Sequence, residues 1–282
     1  MIKIRLLRKQ VVFLIAAVLF SSAMASAQVI PLPHAYAHND YWHKRPLFDA
    51  LDNGFTNIEA DIYLRHSRLL VMHRPPIFKL RHKKTIEGLY LQPLLARLSD
   101  SHNRAQTSLD TIVLMIDIKS KGERTYTALK KVLHTYKDLL STCDQGKVTI
   151  RNLTLVLTGH RPLNMMESEA SRYVFADADL RKIDPEEDCA EVYNTASCKY
   201  SRLIKWKGKG MVPEGERERL EDLVNRAHLS GAKVRLWDSP DNVLVWNFLR
   251  DCGVDLINTD KLQALKHYFI TDVNNQKNMN SL

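Results

Sequence analysis

The chain has 282 residues, of which 45% are hydrophobic and 26% charged, with a net charge of +9. That is enough apolar material for one large folded domain and too much for a disordered chain. Four of the positive charges (Lys3, Arg5, Arg8, Lys9) precede residue 28, leaving +5 for the remainder, which is too mild and diffuse to point to nucleic acid.

The chain opens with this basic start, continues as an apolar run from Val11 to Phe20 and reaches small residues at Ala25-Ser26-Ala27. That order reads as a secretory signal peptide over residues 1–27 with cleavage near Ala27. The run is too short to span a bilayer comfortably, and a retained anchor is the alternative. A secreted or periplasmic protein is therefore expected, with residues 28–282 forming a single domain. No later stretch has the length and apolarity of a membrane helix.

Beyond this segment, short β-rich runs alternate with helical ones, the signature of parallel sheet built from βα units. The predicted strands are 34–38, 57–63 with a hairpin-like return at 69–73, 112–118, 153–158, 173–176, 203–206, 233–237 and 255–258. Helical periodicity marks 46–53, 88–98, 124–140, 214–230 and 241–251. Gly54, Gly231 and Gly253 fall where a helix-to-strand turn needs a left-handed residue. Eight strands over this length favour a closed (β/α)8 TIM-type barrel, and the polar tail after Ile270 reads as a solvated end. Cys189 and Cys198 flank a turn-like segment and could close a small disulfide loop, but spacing alone cannot fix connectivity. No cysteine spacing suits zinc.

Barrel active sites lie at the carboxyl ends of the strands, and polar residues gather there. His38-Asn39-Asp40 ends the first strand, Glu59 and Asp61 lie in the second, His73 follows the return, Asp117 and Lys119 end the next, and Trp237 ends the seventh. Residues two apart on a strand share a face, so Glu59 and Asp61 project together into the mouth. Two such acids inside an apolar strand cost several kcal/mol unless a partner compensates, and hard carboxylate oxygens suit Mg²⁺ or Ca²⁺. Asp117 could complete that shell while Lys119 holds a phosphate oxygen. His38 and His73 are the natural acid and base, in either assignment, because imidazole titrates near neutrality.

The run AHNDYWHKRPLFDALDNGFTNIEADIYL…LLVMH, then LMIDIK, then LWDSPDN…GVDLINTD resembles the superfamily of glycerophosphodiester phosphodiesterases and phosphatidylinositol-specific phospholipase C-like enzymes across nearly the whole chain. The resemblance implies metal ligands at Glu59, Asp61 and Asp117, acid–base roles for His38 and His73, a phosphate contact from Lys119, and a pocket wall at Trp237, with Asn39 beside the substrate. His38-Asn39-Asp40, His73-Arg74 and Asp117-Ile118-Lys119 stand where glycerophosphodiesterases usually carry His-Arg-Gly, His-Asp and Glu-x-Lys. The edges are therefore closest to the phospholipase C-like subgroup.

The function expected is a phosphodiesterase dependent on a divalent cation, Mg²⁺ or Ca²⁺. Its substrate would be a glycerophosphodiester or phospholipid head group, its action hydrolysis or cyclisation, and its state a monomer with peripheral membrane contact. The basic runs 79–84 and 205–209 are candidates to dock an anionic head group. The alternative is a non-catalytic barrel binding a phosphorylated or glycan ligand. A metal hydrolase of another class is disfavoured because the first strand lacks a His-x-His pair.

Overall fold

A computed structural model describes residues 29–75, 84–99, 111–184, 186, 192–213 and 215–279. The expected signal peptide, Cys189 and most of the 79–84 basic run lie outside the described residues.

We number the eight barrel strands and the α-helices separately in chain order. The chain runs β1 (Leu32–Ala37), α1 (Phe48–Asp52), β2 (Phe55–Arg65), an antiparallel return (Arg68–Val71), a π-turn (Glu87–Leu91) leading into α2 (Gln92–Ser99), and β3 (Ile112–Ile118). It continues with α3 (Gly122–Leu133), β4 (Leu153–Gly159), α4 (Leu163–Glu167), β5 (Phe175–Asp179), β6 (Tyr193–Lys199), α5 (Glu216–Leu229), β7 (Lys233–Trp237), α6 (Val243–Asp251), β8 (Ile257–Thr259) and α7 (Leu262–Met279).

Strands β1 to β7 pair in parallel with their sequence neighbours, and β8 pairs with β1. The seam between β7 and β8 is held by a single parallel bridge, Arg235 to Leu256, with the Leu256 amide donating to the Val234 carbonyl at 3.0 Å. The sheet is thus a nearly closed eight-stranded barrel. Two apolar clusters follow from the period of two along each strand. One set faces outward against the helices, including Ile58, Leu114, Leu157 and Leu236. The other fills the barrel, with Tyr36, Met115, Val156, Phe175 and Leu256. The inward parity that buries Tyr36 and Met115 also carries His38, Glu59, Asp61, Asp117 and Lys119 to the mouth.

The helix starts and stops follow local chemistry. Asn242 caps α6 by accepting from the Val245 amide, and Gly54, Gly231 and Gly253 take φ of +87, +75 and +84°, the left-handed conformation a side chain resists.

Two sequence expectations need correction. The sixth strand is Tyr193–Lys199, not 203–206. It escapes an apolar-run reading because its inward residues, Thr195 and Ser197, are hydroxyls aimed at the buried Asp177. Leu203 and Ile204 are instead buried at the foot of α5, where Arg219 donates to the Leu203 carbonyl and Glu216 accepts from the Lys205 amide. The tail after Ile270 continues α7 to Met279, because Leu262, Leu265, Tyr268 and Phe269 anchor its first turns and elongation is easier than nucleation. Among the described residues no helix connects β5 to β6. Cys198 is a free, buried thiol, pushed up to about 12 by burial and the nearby Asp179 charge.

Candidate active site

Strands β2 and β3 pair with Asp61 directly opposite Asp117. Glu59, Asp61 and Asp117 each offer a carboxylate oxygen within 4.8 Å of the others, and Glu59 and Asp61 are buried. Lys119 Nζ lies 2.7 Å from Asp117 Oδ2 and 3.5 Å from Asp61 Oδ2. His73 Nδ1 is 2.6 Å from Asp61 Oδ2, and its half-exposed ring stands edge-on to Trp42. Beside them, at the end of β1, His38 Nδ1 is 2.8 Å from Asp260 Oδ1, at the end of β8. The structure therefore gathers His38, Glu59, Asp61, His73, Asp117 and Lys119 at one side of the barrel mouth.

Asn39 adopts the left-handed region at φ 47°, and its amide nitrogen sits 3.0 Å from His38 Nδ1. Trp237 belongs to a different part of the mouth: it lines a cavity over β4 to β7, with Lys199 Nζ 5.6 Å above its ring.

Three site residues went unassigned in the sequence. Arg235, from β7, is buried inside the barrel, donates to Glu59 Oε2 at 2.6 Å and to Asn258 Oδ1 at 3.2 Å, and stacks 4.3 Å above the Tyr36 ring. Tyr36 donates to the same Glu59 oxygen at 2.8 Å. Tyr41 donates to Asp61 Oδ2 at 2.9 Å. The available signal was parity, since Tyr36 lies two residues before His38 and Arg235 two before Trp237.

These partners set the charge states. Burial works to raise the Glu59 pKa, but the charges of Arg235 and His38 and the bonds from Tyr36 and Arg235 outweigh it and hold the carboxyl below its usual range. Asp117 goes the other way: burial raises it, the adjacent acids reinforce this, and Lys119 opposes without prevailing. Burial opposes charge on His38, yet the bond to Asp260 and the charges of Glu59 and Asp260 lift its pKa overall.

The donor set suits a hard divalent cation. Asp61 Oδ1 and Asp117 Oδ1 are buried with no hydrogen-bond partner among the described residues. Each unsatisfied buried acceptor costs about 1–3 kcal/mol, more when charged, and a cation would satisfy both. Gly159 on β4 makes the room: a Cβ there would collide with Asp117 Oδ1 and the Ile118 carbonyl.

The curated protein "Altered inheritance of mitochondria protein 6 homolog" of Arthroderma benhamiae is 26% identical over 269 residues, covering 86% of this chain and 85% of its own. "Altered inheritance of mitochondria protein 6" of Saccharomyces cerevisiae is 27% identical, covering 85% of this chain and 71% of its own. The solved structure of a glycerophosphodiester phosphodiesterase from Parabacteroides distasonis shares the fold, with a TM-score of 0.52 at 15% identity over 83% of this chain and 96% of that one. The relatives' name overturns the expectation of a secreted or periplasmic protein, because it points to a mitochondria-related role rather than export. The physical reason is that a basic, acid-free N-terminal segment is common to export and organelle-targeting peptides, so its composition does not decide destination. The profile of the AIM6-like phosphodiesterase domain matches residues 23–177, more than half of the sequence, and the chain belongs to that family.

Proposed function

We propose that the chain is a phosphodiesterase that uses a divalent cation, Mg²⁺ or Ca²⁺, to cleave a glycerophosphodiester or a phospholipid head-group phosphodiester. The observation that carries this reading is the convergence of Glu59, Asp61 and Asp117 with two of their buried oxygens left without partners.

A cation held by these three residues would neutralise charge developing on a non-bridging phosphoryl oxygen. The chain's own residues do the rest. Arg235 and Tyr36 both donate to Glu59 Oε2 and keep the carboxylate ionised. Asp61 holds the His73 ring through Nδ1, which leaves its Nε2 for proton transfer, and Asp260 holds the His38 ring through Nδ1 with the Asn39 side-chain amide 3.1 Å from His38 Nε2. One removes the proton from the attacking hydroxyl or water and the other protonates the departing oxygen. Lys119, with its pKa raised by Asp117 and Asp61 against the pull of burial, is a fixed positive charge for a phosphate oxygen.

The test is hydrolysis of a generic aryl phosphodiester by metal-stripped protein with Mg²⁺, Ca²⁺ or Mn²⁺ restored, beside His38→Ala and Glu59→Ala. Metal-dependent turnover abolished in both variants is expected. Turnover that survives Glu59→Ala with metal binding intact would sink the scheme. Phosphate binding without turnover under any metal would favour the non-catalytic barrel.

A further inference from the structure

The barrel mouth is divided by charge. Strands β2 and β3 carry the three acids of the candidate metal centre, with Lys119 paired among them, whereas β4, β5 and β6 are each followed or closed by a cation within three residues: Arg161, Arg181, and Lys199 with Arg202. These four side chains line one cavity of about 220 Å³, together with Thr158, Asp177, Asp179 and Trp237. Thr158 pairs in register with Asp117, and adjacent strands lie about 4.8 Å apart. The cavity thus begins on the strand next to the acidic centre and opens onto the same face.

The acids in the cavity are already engaged. Asp177 is buried and accepts from the hydroxyls of Thr158 at 3.0 Å, Thr195 at 2.7 Å and Ser197 at 2.5 Å, so it forms a floor with little capacity left for a ligand. Asp179 is held by both Nε and Nη2 of Arg181. At the rim Lys199 pairs with Asp238 at 2.9 Å. Two cations are left over. Arg161 is half-buried, reaches only the Gly159 carbonyl at a long 3.5 Å, and has a buried Nε with no hydrogen-bond partner among the described residues. Arg202 makes no ion pair among the described residues. A half-buried guanidinium with an unused donor has a strong preference for an oxyanion that can accept from two of its N–H groups at once.

We infer that this cavity binds an anionic group, a phosphate monoester or carboxylate, carried on the arm of the substrate that leaves the acidic half of the mouth and crosses towards β4 to β6. The substrate class is then a phosphodiester with a second negative group on one arm, rather than one with a neutral glycerol or a cationic choline arm. A cationic arm would meet Arg161 and Arg202 as like charges, and a neutral arm would leave the Arg161 Nε without a strong acceptor. The inference deepens the phosphodiesterase reading and takes its substrate geometry from it, but the anion site itself stands on the cavity.

The test separates the two. In metal-stripped protein the three carboxylates repel anions, so inorganic phosphate binding followed by calorimetry reports chiefly the cationic cavity, and the Arg161/Arg202 variants separate it from any contact at Lys119. Wild-type protein is expected to saturate in the millimolar range, and Arg161→Gln/Arg202→Gln to bind at least tenfold more weakly, with circular dichroism unchanged. Arg161→Lys/Arg202→Lys, which keeps charge but not the fork, should fall between them. Absence of saturable binding in the wild type, or equal affinity in the Gln variant, overturns the inference whether or not the protein turns over any diester. With metal restored, glycerophosphoinositol 4-phosphate is expected to exceed glycerophosphocholine in kcat/KM, and the Gln variant to lower that ratio at least tenfold through KM. The reverse preference overturns the inference while leaving the phosphodiesterase reading in place. Phosphate binding with no turnover of either diester would leave the anion site standing and remove the enzyme reading.

Discussion

Replacing Arg235 by Met tests how the buried end of the site is held. Arg235 and Glu59 are only 3% and 4% exposed, so the pair lies out of water's reach. Removing one member of a buried ion pair costs about 3–5 kcal/mol, chiefly because the remaining charge is left uncompensated. Stacking on Tyr36 contributes about 1–2 kcal/mol more, and the buried methionine chain returns a similar amount. A net loss of about 4 kcal/mol follows, or about 8–16 °C in melting temperature for a domain of this size. The sign with pH is definite. Glu59 is held below its ordinary value of 4.5 in the folded protein, so its stabilisation is present above that pH and is lost as the pH falls through the folded value. In Arg235→Met only His38 and Tyr36 still oppose burial, so the Glu59 pKa rises, and the gap between variant and wild type is widest at neutrality and closes as the pH falls through the variant's raised value and then the wild type's lowered one. Urea denaturation at pH 7 and pH 4, with Glu59→Gln and the double variant completing the cycle, measures each part. The double variant should be more stable than Arg235→Met alone, since it removes the stranded charge. A loss under about 1 kcal/mol, or a penalty unchanged between the two pH values, would refute the reasoning.

Other consequences are checked more simply. A divalent cation at 100 times its dissociation constant should stabilise the wild type by about 2.7 kcal/mol, or about 5–10 °C by differential scanning fluorimetry, and Asp61→Asn should abolish the shift. Gly159→Ala places a Cβ against Asp117 at a φ of +68°, so a stability loss of about 1–3 kcal/mol is expected together with cation affinity weakened more than tenfold in titration calorimetry; wild-type affinity in that variant would show that Asp117 is not a ligand. With a pKa near 12, the Cys198 thiol should be alkylated by iodoacetamide at pH 8 about 10³-fold more slowly than a free thiol, accelerating about tenfold per pH unit. A fast, pH-independent reaction read by mass spectrometry would contradict the burial seen here.

What the sequence determined alone was the repeating order of elements and the residues of the acidic half of the mouth. Period-two alternation in Asn57–Tyr63 and Ile112–Ile118 is a local property, so it placed Glu59, Asp61, Asp117 and Lys119 on one face before any contact was known. Tertiary structure decided what depends on residues far apart in the chain. Arg235 meets Glu59 across 176 positions and His38 meets Asp260 across 222, and no local pattern encodes which strand closes against which. Strand β6 was missed for the same reason: Thr195 and Ser197 look like loop residues until Asp177, on the neighbouring strand, supplies the carboxylate that makes buried hydroxyls favourable. The cationic cavity, too, exists only once the fold brings the ends of β4 to β7 around one space, because charges scattered over some 40 residues share a field only when the fold sets them side by side.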